Sequence, residues 1–317
     1  MALLGAAVGV ALLTSASVPL ALIASILLGT AYSLTNPATS VLLARLTPPR
    51  RRNMVFAAKQ TGVPIGLAGA GFLLPSLAEA YGWRGAMLAA AAALAMPALA
   101  LQPLRAGWDA ERGGPAAASG RLQLAGLPAL RALALTGGAF ALVQIAIGAH
   151  MVAMLVLDFG WDPVPAGALV GLCQGVGALA RLGWAGLGWA MVADACRNGL
   201  LVLAVIGLLC CVLLLLLPAA RSAEPLAVAV LFAPLGATMA GWNGMLIAEA
   251  VRLTPPGATA AASAAVLSMT FAGAVLGPVG LALLPTLVGS YAGAFALSAA
   301  LPLLGAVIAW RARRLGA

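Results

Sequence analysis

Apolar residues fall in ten runs, at about 2–15, 18–44, 54–78, 84–103, 131–157, 164–190, 198–218, 225–250, 258–286 and 290–311, parted by short polar gaps. A spanning helix needs roughly 20 apolar residues, and most runs reach that length. The pattern predicts an all-α polytopic membrane protein of about ten transmembrane helices. The first run is short, and it starts at Met1 without a basic leader or a small-residue cleavage site, so it does not read as a signal peptide. It is expected to be a helix cut off at its start. The longest polar stretch, 103–130, holds Asp109, Glu111, Gly113, Gly114, Pro115 and Ser119. It predicts a cytoplasmic linker (104–130) between an incomplete N-terminal bundle of four spans (1–103) and a C-terminal bundle of six (131–317).

Composition sharpens this reading. Of the 317 residues 63% are hydrophobic and 8% charged, against roughly 25% charged in a soluble domain. That little charge cannot coat a water-facing surface, which excludes a soluble enzyme, a disordered chain and a nucleic-acid-binding domain. The net charge of +9 is explained by placement. Arg45, Arg50, Arg51, Arg52, Arg105, Arg112, Arg121, Arg131, Arg197, Arg252, Arg311, Arg313 and Arg314 lie in alternate gaps or the tail, and only Arg84 and Arg221 lie in the others, 13 against 2. The arginine-rich gaps and both termini are therefore expected in the cytoplasm, which makes this a multi-pass protein of the cell inner membrane. Cys173, Cys196, Cys210 and Cys211 lack metal-ligand spacing and read as small apolar fillers. With a single His, no nucleophile–base pair and no phosphate-cradling loop, no enzyme activity, metal or cofactor is expected.

The run Arg45-Leu46-Thr47-Pro48-Pro49 recurs as Arg252-Leu253-Thr254-Pro255-Pro256, an offset of 207. Seven positions of 21 are identical between 29–49 and 236–256, among them Gly29 with Gly236 and Asn36 with Asn243; beyond them Gly66 matches Gly273. Both copies sit where a helix exits to the cytoplasm, and the paired prolines stop it there. Like-oriented copies either side of a central loop predict two bundles related by an axis along the membrane normal, a transporter plan. Equivalence would give the first bundle two further spans.

From Gly29 to Met87 the chain runs Asn36-Pro37-Ala38-Thr39-Ser40, Arg45 to Arg52, Lys59-Gln60-Thr61-Gly62-Val63-Pro64 and Tyr81-Gly82-Trp83-Arg84. Later come Gly241-Trp242-Asn243-Gly244, Gly273 and Gly277-Pro278. In order and spacing these resemble the major facilitator superfamily, in the style of its cyanate-permease-like drug and organic-anion facilitators. The first stretch corresponds to family helices four, five and the start of six, and the later one to helices ten and eleven. The family's Gly-Asp-Arg-Gly-Arg loop has no counterpart here, though Arg181, Gly186, Gly188, Asp194 and Arg197 resemble its second-half echo. The resemblance implies alternating access, two bundles rocking about a midplane site.

Polar residues inside apolar helices are costly and tend to face a cavity or one another. Tyr32, Thr35, Asn36, Thr39 and Ser40 share one helical face, a cavity wall or a packing seam. Lys59, beside Gln60, either attracts an anionic substrate or snorkels to the interface. The glycines Gly62, Gly66 and Gly69, and in the second half Gly273, Gly277 and Gly280, are expected to admit a close neighbour. Gln144 lies mid-span. His150 is a proton-relay candidate or a packing residue. Gln174 and Arg181 share a face, and Arg181 either binds a carboxylate or pairs with Asp194. Trp242 and Asn243 are substrate-contact candidates. Glu249 is a proton carrier, or half of a gate ion pair with Arg252 or Arg181. The expected function is secondary transport of a small organic solute through a lipid bilayer, with an anion and proton coupling as options, by a monomer without nucleic-acid partners. The alternative is a truncated, non-transporting or partner-binding membrane protein.

Overall fold

The computed structural model describes residues 2–46, 52–104, 127–190, 199–254 and 259–314. Among them every regular element is helical. The helices are α1 (Ala2–Leu13), α2 (Val18–Leu46), α3 (Arg52–Ala100), α4 (Pro128–Leu157), α5 (Pro163–Ala190), α6 (Gly199–Leu216), α7 (Pro225–Gly241), α8 (Asn243–Arg252), α9 (Thr259–Val288), α10 (Tyr291–Ser298) and α11 (Ala300–Ala312). Seven described helical stretches are long and apolar enough to cross a membrane, and two shorter ones, Ala2–Leu13 and Val18–Ser33, are apolar as well. Hydrocarbon offers the backbone no hydrogen-bond partners, so helices that satisfy themselves are the expected answer to such a sequence.

Helix boundaries differ from the runs of the sequence in three places. Runs 54–78 and 84–103 form two helical segments of α3 that break at Gly82, whose φ of 70° and ψ of 164° only glycine adopts without strain. The turn between them thus needs one residue rather than a polar loop. The run 225–250 divides at Trp242 into α7 and α8, and the last run divides at Ala299 into α10 and α11.

By backbone proximity the chain forms two compact units. One holds α1, α2 and most of α3; the other holds residues 63–71 together with α4 to α11. In the first, α1 lies against α2, where a Cβ on Gly9 would come within 2.9 Å of Leu28 Cγ. Arg84 Nε donates to the Thr14 carbonyl just past α1 at 3.0 Å.

The second unit is tied by close backbone crossings as well as by buried apolar side chains. Gly273 and Gly277 of α9 lie directly on the carbonyls of Gly138 and Leu142 of α4, and Gly236 of α7 lies on the Cys173 carbonyl of α5, with no room for a Cβ at any of the three. Large apolar side chains of the same unit, Leu226, Val275, Leu276, Val279 and Leu287, are exposed. Gly280 meets nothing within 4 Å, nor do Gly62, Gly66 and Gly69. The packing role expected of these four is therefore not seen, because their open sides face no described atom. Buried hydroxyls solve their own desolvation. Thr136, Thr238, Thr270 and Ser298 each donate to a carbonyl three or four residues back in their own helix.

Two buried clusters fill the second unit. One, with Met151, Met154, Leu155, Leu214, Leu217, Val228 and Phe295, occupies the end where α4 finishes and α10 begins. The other, with Leu130, Leu133, Leu200, Leu246, Ala250, Ala262 and Ala312, occupies the arginine-rich end.

Candidate functional site

Between the two clusters lies a polar layer. Gln144, four turns into α4, accepts a hydrogen bond at 3.3 Å from Asn243 Nδ2 at the start of α8. These are two of the three amides that the sequence singled out in this half, Gln174 being the third, and they meet each other. Both are half-buried. Beside Gln144 is a narrow cavity of about 10 Å³, lined by residues that include Phe140, Gln144, Cys210, Thr238, Met239 and Trp242. That is close to the smallest space able to hold one water. Its lining draws on both clusters, so the cavity sits where the apolar packing changes hands.

Trp242, at the break between α7 and α8, is 1% exposed. Its indole meets Phe140 edge to face, with centroids 5.6 Å apart at 74°, and its Nε1 donates to the Met239 carbonyl at 2.7 Å. Two further donors reach the same turn of α7 from α5. Arg181 Nε donates to the Ala240 carbonyl at 2.7 Å, and Trp184 Nε1 to the Ala237 carbonyl at 3.0 Å. A helix end leaves its last four carbonyls short of intrahelical partners; the Trp242 and Arg181 N–H groups supply two of them, at Met239 and Ala240, and Trp184 adds a bond one turn earlier. The sequence reading missed Phe140, Thr238 and Trp184. Trp184 was detectable, since it follows Arg181 by three residues and so shares its face.

Gln174 lies on the same helix face as Arg181 but nearer α4, its Nε2 3.7 Å from where a Cβ on Gly148 would stand. His150 lies in the other cluster's half. Its Nδ1 is 2.9 Å from the Ala146 carbonyl of its own helix, and its ring stacks on Tyr291 at 6.1 Å.

Glu249 is buried on α8 and forms a bidentate pair with Arg252, Oε1 to Nη2 at 2.6 Å and Oε2 to Nε at 2.9 Å. Such two-point pairs are the strong geometry for Arg and carboxylate. The partners are three residues apart on one helix, so the pair alone does not join two helices. The crossing contact is instead Gly199 of α6, where a Cβ would come within 2.6 Å of Glu249 Oε2.

In the other unit Tyr32 is exposed, Thr35 donates to the Ala31 carbonyl at 2.7 Å, and Lys59 is half-buried. The side chains of Asn36, Thr39 and Gln60, and the whole of Asp194, lie outside the described residues. The described residues hold no group of three or more His, Cys, Asp or Glu able to bind a metal.

With this architecture in place, the sequence was compared with known proteins. A sequence model of the major facilitator superfamily matches residues 1–278. The chain belongs to the major facilitator superfamily. No curated protein matches it. Among solved structures it superposes, with TM-score 0.73 and 13% identity, on a bacterial homologue of the human lysosomal transporter Spinster in an inward-facing, occupied conformation, over 99% of this chain and 81% of that one. At that identity the likeness establishes the fold. As a superfamily member with several apolar helices, the protein is a multi-pass membrane transporter, and its substrate is a small molecule handled within a lipid bilayer.

Proposed function

We propose that this superfamily member is a secondary transporter of a small polar organic solute, anionic in character, working by alternating access, with its arginine-rich face and C-terminus in the cytoplasm of a cell inner membrane. The supporting observation is the Gln144–Asn243 pair. It gathers amide donors and acceptors from two helices into the middle of an otherwise apolar unit. Amides inside a membrane are expensive unless they serve recognition or one another. A solute amide or carboxylate can exchange with this bond at little net cost, because one hydrogen bond replaces another. Positive charge favours an anion: Lys59 in one unit, and in the other Arg181, whose Nε donates to the Ala240 carbonyl.

Glu249 fits a gate role better than proton carriage. Both of its carboxylate oxygens are engaged by the Arg252 guanidinium. His150, tied to its own helix and stacked on Tyr291, fits packing. The purified chain in liposomes is the test. Flux of small organic anions above that of empty vesicles, reduced in Asn243→Ala and in Arg181→Gln, supports the reading. A broad panel of organic anions and neutral polar solutes that shows no flux, with the protein folded, overturns it.

A further inference from the structure

Four arginines collect at one end of the second unit, and the register of two helices shows why. Thr136 Oγ1 of α4 lies 3.3 Å from the Gly305 carbonyl of α11. Phe140, one turn further along α4, packs against Gly207, which also touches the Pro302 carbonyl, one turn earlier in α11. The helices are therefore antiparallel, with 136 level with 305. Arg131 lies five residues before Thr136, and Arg311 six after Gly305, about 7.5 and 9 Å toward the same end at ~1.5 Å per residue. Leu130, Leu133, Ala309 and Ala312 close the seam beneath them in one buried cluster. Arg313 and Arg314 follow directly.

Arg131, Arg311 and Arg314 are exposed, and among the described residues neither these three nor Arg313 forms an ion pair. The one described acid at this end of the unit, Glu249, is already held by Arg252; Asp158, Asp162 and Glu224 belong to the opposite end. Trp310 is half-exposed on the same helix, with the Arg313 guanidinium 4.7 Å above its ring. An exposed tryptophan at a helix end marks headgroup level. Guanidinium forks set at that depth match phosphate oxygens in both charge and geometry.

We propose that the arginine-rich end of the α4–α11 seam binds the headgroup of an anionic phospholipid, its phosphate held by Arg313 and Arg314, which share a helix face with Trp310, its glycerol region resting on Trp310, and Arg131 and Arg311 adding positive charge at the same depth. The arginines that set orientation in the sequence thus also form a lipid site, which fastens the last helix of the chain to the first helix of its unit.

Native mass spectrometry of the full chain in detergent, titrated with phosphatidylglycerol or phosphatidylethanolamine, tests this. The unmodified chain is expected to retain phosphatidylglycerol in preference. Each arginine removed should weaken the tightest phosphatidylglycerol adduct about fivefold, as in Arg313→Gln and Arg311→Gln, while Arg313→Lys retains most of it. The quadruple Arg131→Gln, Arg311→Gln, Arg313→Gln, Arg314→Gln variant should lose the preference, and Arg84→Gln with Arg221→Gln, at the other end, should keep it. If the quadruple variant does not fold, the single variants decide. Equal retention of both lipids by the unmodified chain overturns the proposal, as do single variants with unchanged affinity. So does displacement of the lipid by excess glycerol 1-phosphate, which would assign the surface to a free phosphate.

Discussion

Replacing Gly273 and Gly280 by alanine, one at a time, separates helix crossing from helix propensity. Both glycines lie in α9, so the intrinsic gain of Ala over Gly, about 0.5–1 kcal/mol, is shared and cancels in the comparison. Their surroundings differ. A Cβ at 280 meets nothing within 4 Å, whereas a Cβ at 273 falls on the Gly138 carbonyl, with Gly138 Cα 3.2 Å away. Those are backbone atoms, which cannot turn aside as a side chain can. The α4–α9 crossing must then open by about 1 Å, which forfeits a quarter to a half of the dispersion energy at each contact along it. Overpacking of this kind costs about 1–3 kcal/mol, and that is the expected gap between the two variants. Gly280→Ala should unfold above the unmodified protein and Gly273→Ala below it, as read by thermal unfolding in lipid nanodiscs, at about 2–4 °C per kcal/mol. Gly277→Ala, against the Leu142 backbone, should behave as Gly273→Ala does. Equal stability of Gly273→Ala and Gly280→Ala would refute the idea that bare backbone contact sets this crossing.

Three further outcomes follow from the same structure. A double-mutant cycle on Gln144→Ala and Asn243→Ala should give a coupling energy of about 0.6–1.7 kcal/mol; zero coupling in unfolding assays would show that the two amides do not act together. Gly199→Ala should destabilise by about 1–3 kcal/mol by pushing on Glu249, and Glu249→Ala should relieve most of that penalty, so additive effects in the double variant would contradict the contact. Single cysteines at Ser222 and Arg314, in a Cys196→Ala background whose other three cysteines are buried, should be labelled by a membrane-impermeant thiol reagent from opposite sides of sealed vesicles; labelling of both from one side would refute the alternating topology.

Much of the helical architecture was legible because hydrocarbon leaves the backbone few choices: a long apolar run must be a helix. What periodicity could not show was where a helix bends or breaks. At Gly82 a change of direction takes one residue with positive φ, and the break at Trp242 leaves the backbone nearly helical, with φ −72° and ψ −22°. Neither alters the hydrophobic pattern. The meeting of Gln144 with Asn243 was half legible. Each stood out as an amide in an apolar run, but sequence carries no register between helices 99 positions apart. Arg181 was read as binding a carboxylate or pairing with Asp194, which lies outside the described residues; its Nε donates to a backbone carbonyl. That partner exists only because α7 ends at Gly241, a fact of tertiary structure. Glycine was the least readable residue. Gly273 and Gly280 look alike in the sequence, yet one is pressed on a neighbouring backbone and the other is open.

The two arginines that departed from the charge bias carry their own explanation. Arg84 Nε donates to the Thr14 carbonyl at 3.0 Å, and Arg221 Nε donates to the Asp158 carbonyl at 3.3 Å. Thr14 follows the last residue of α1, and Asp158 caps the end of α4. Each exception therefore places a cation on the negative end of a helix, where charge and hydrogen-bonding need coincide. The Asp158 side chain does the converse, accepting from the Ala292 N–H in the first turn of α10 at 2.6 Å, the positive end of that helix. An arginine in the arginine-poor gaps weakens the charge bias, and gaps without any would be the simplest way to keep that bias clean. Two arginines are kept there because short polar connections leave helix ends with unsatisfied carbonyls beside the membrane, and a guanidinium answers these from a distance that a backbone turn cannot reach. The bias of 13 to 2 is thus the sum of two separate demands, orientation on one face and helix termination on the other.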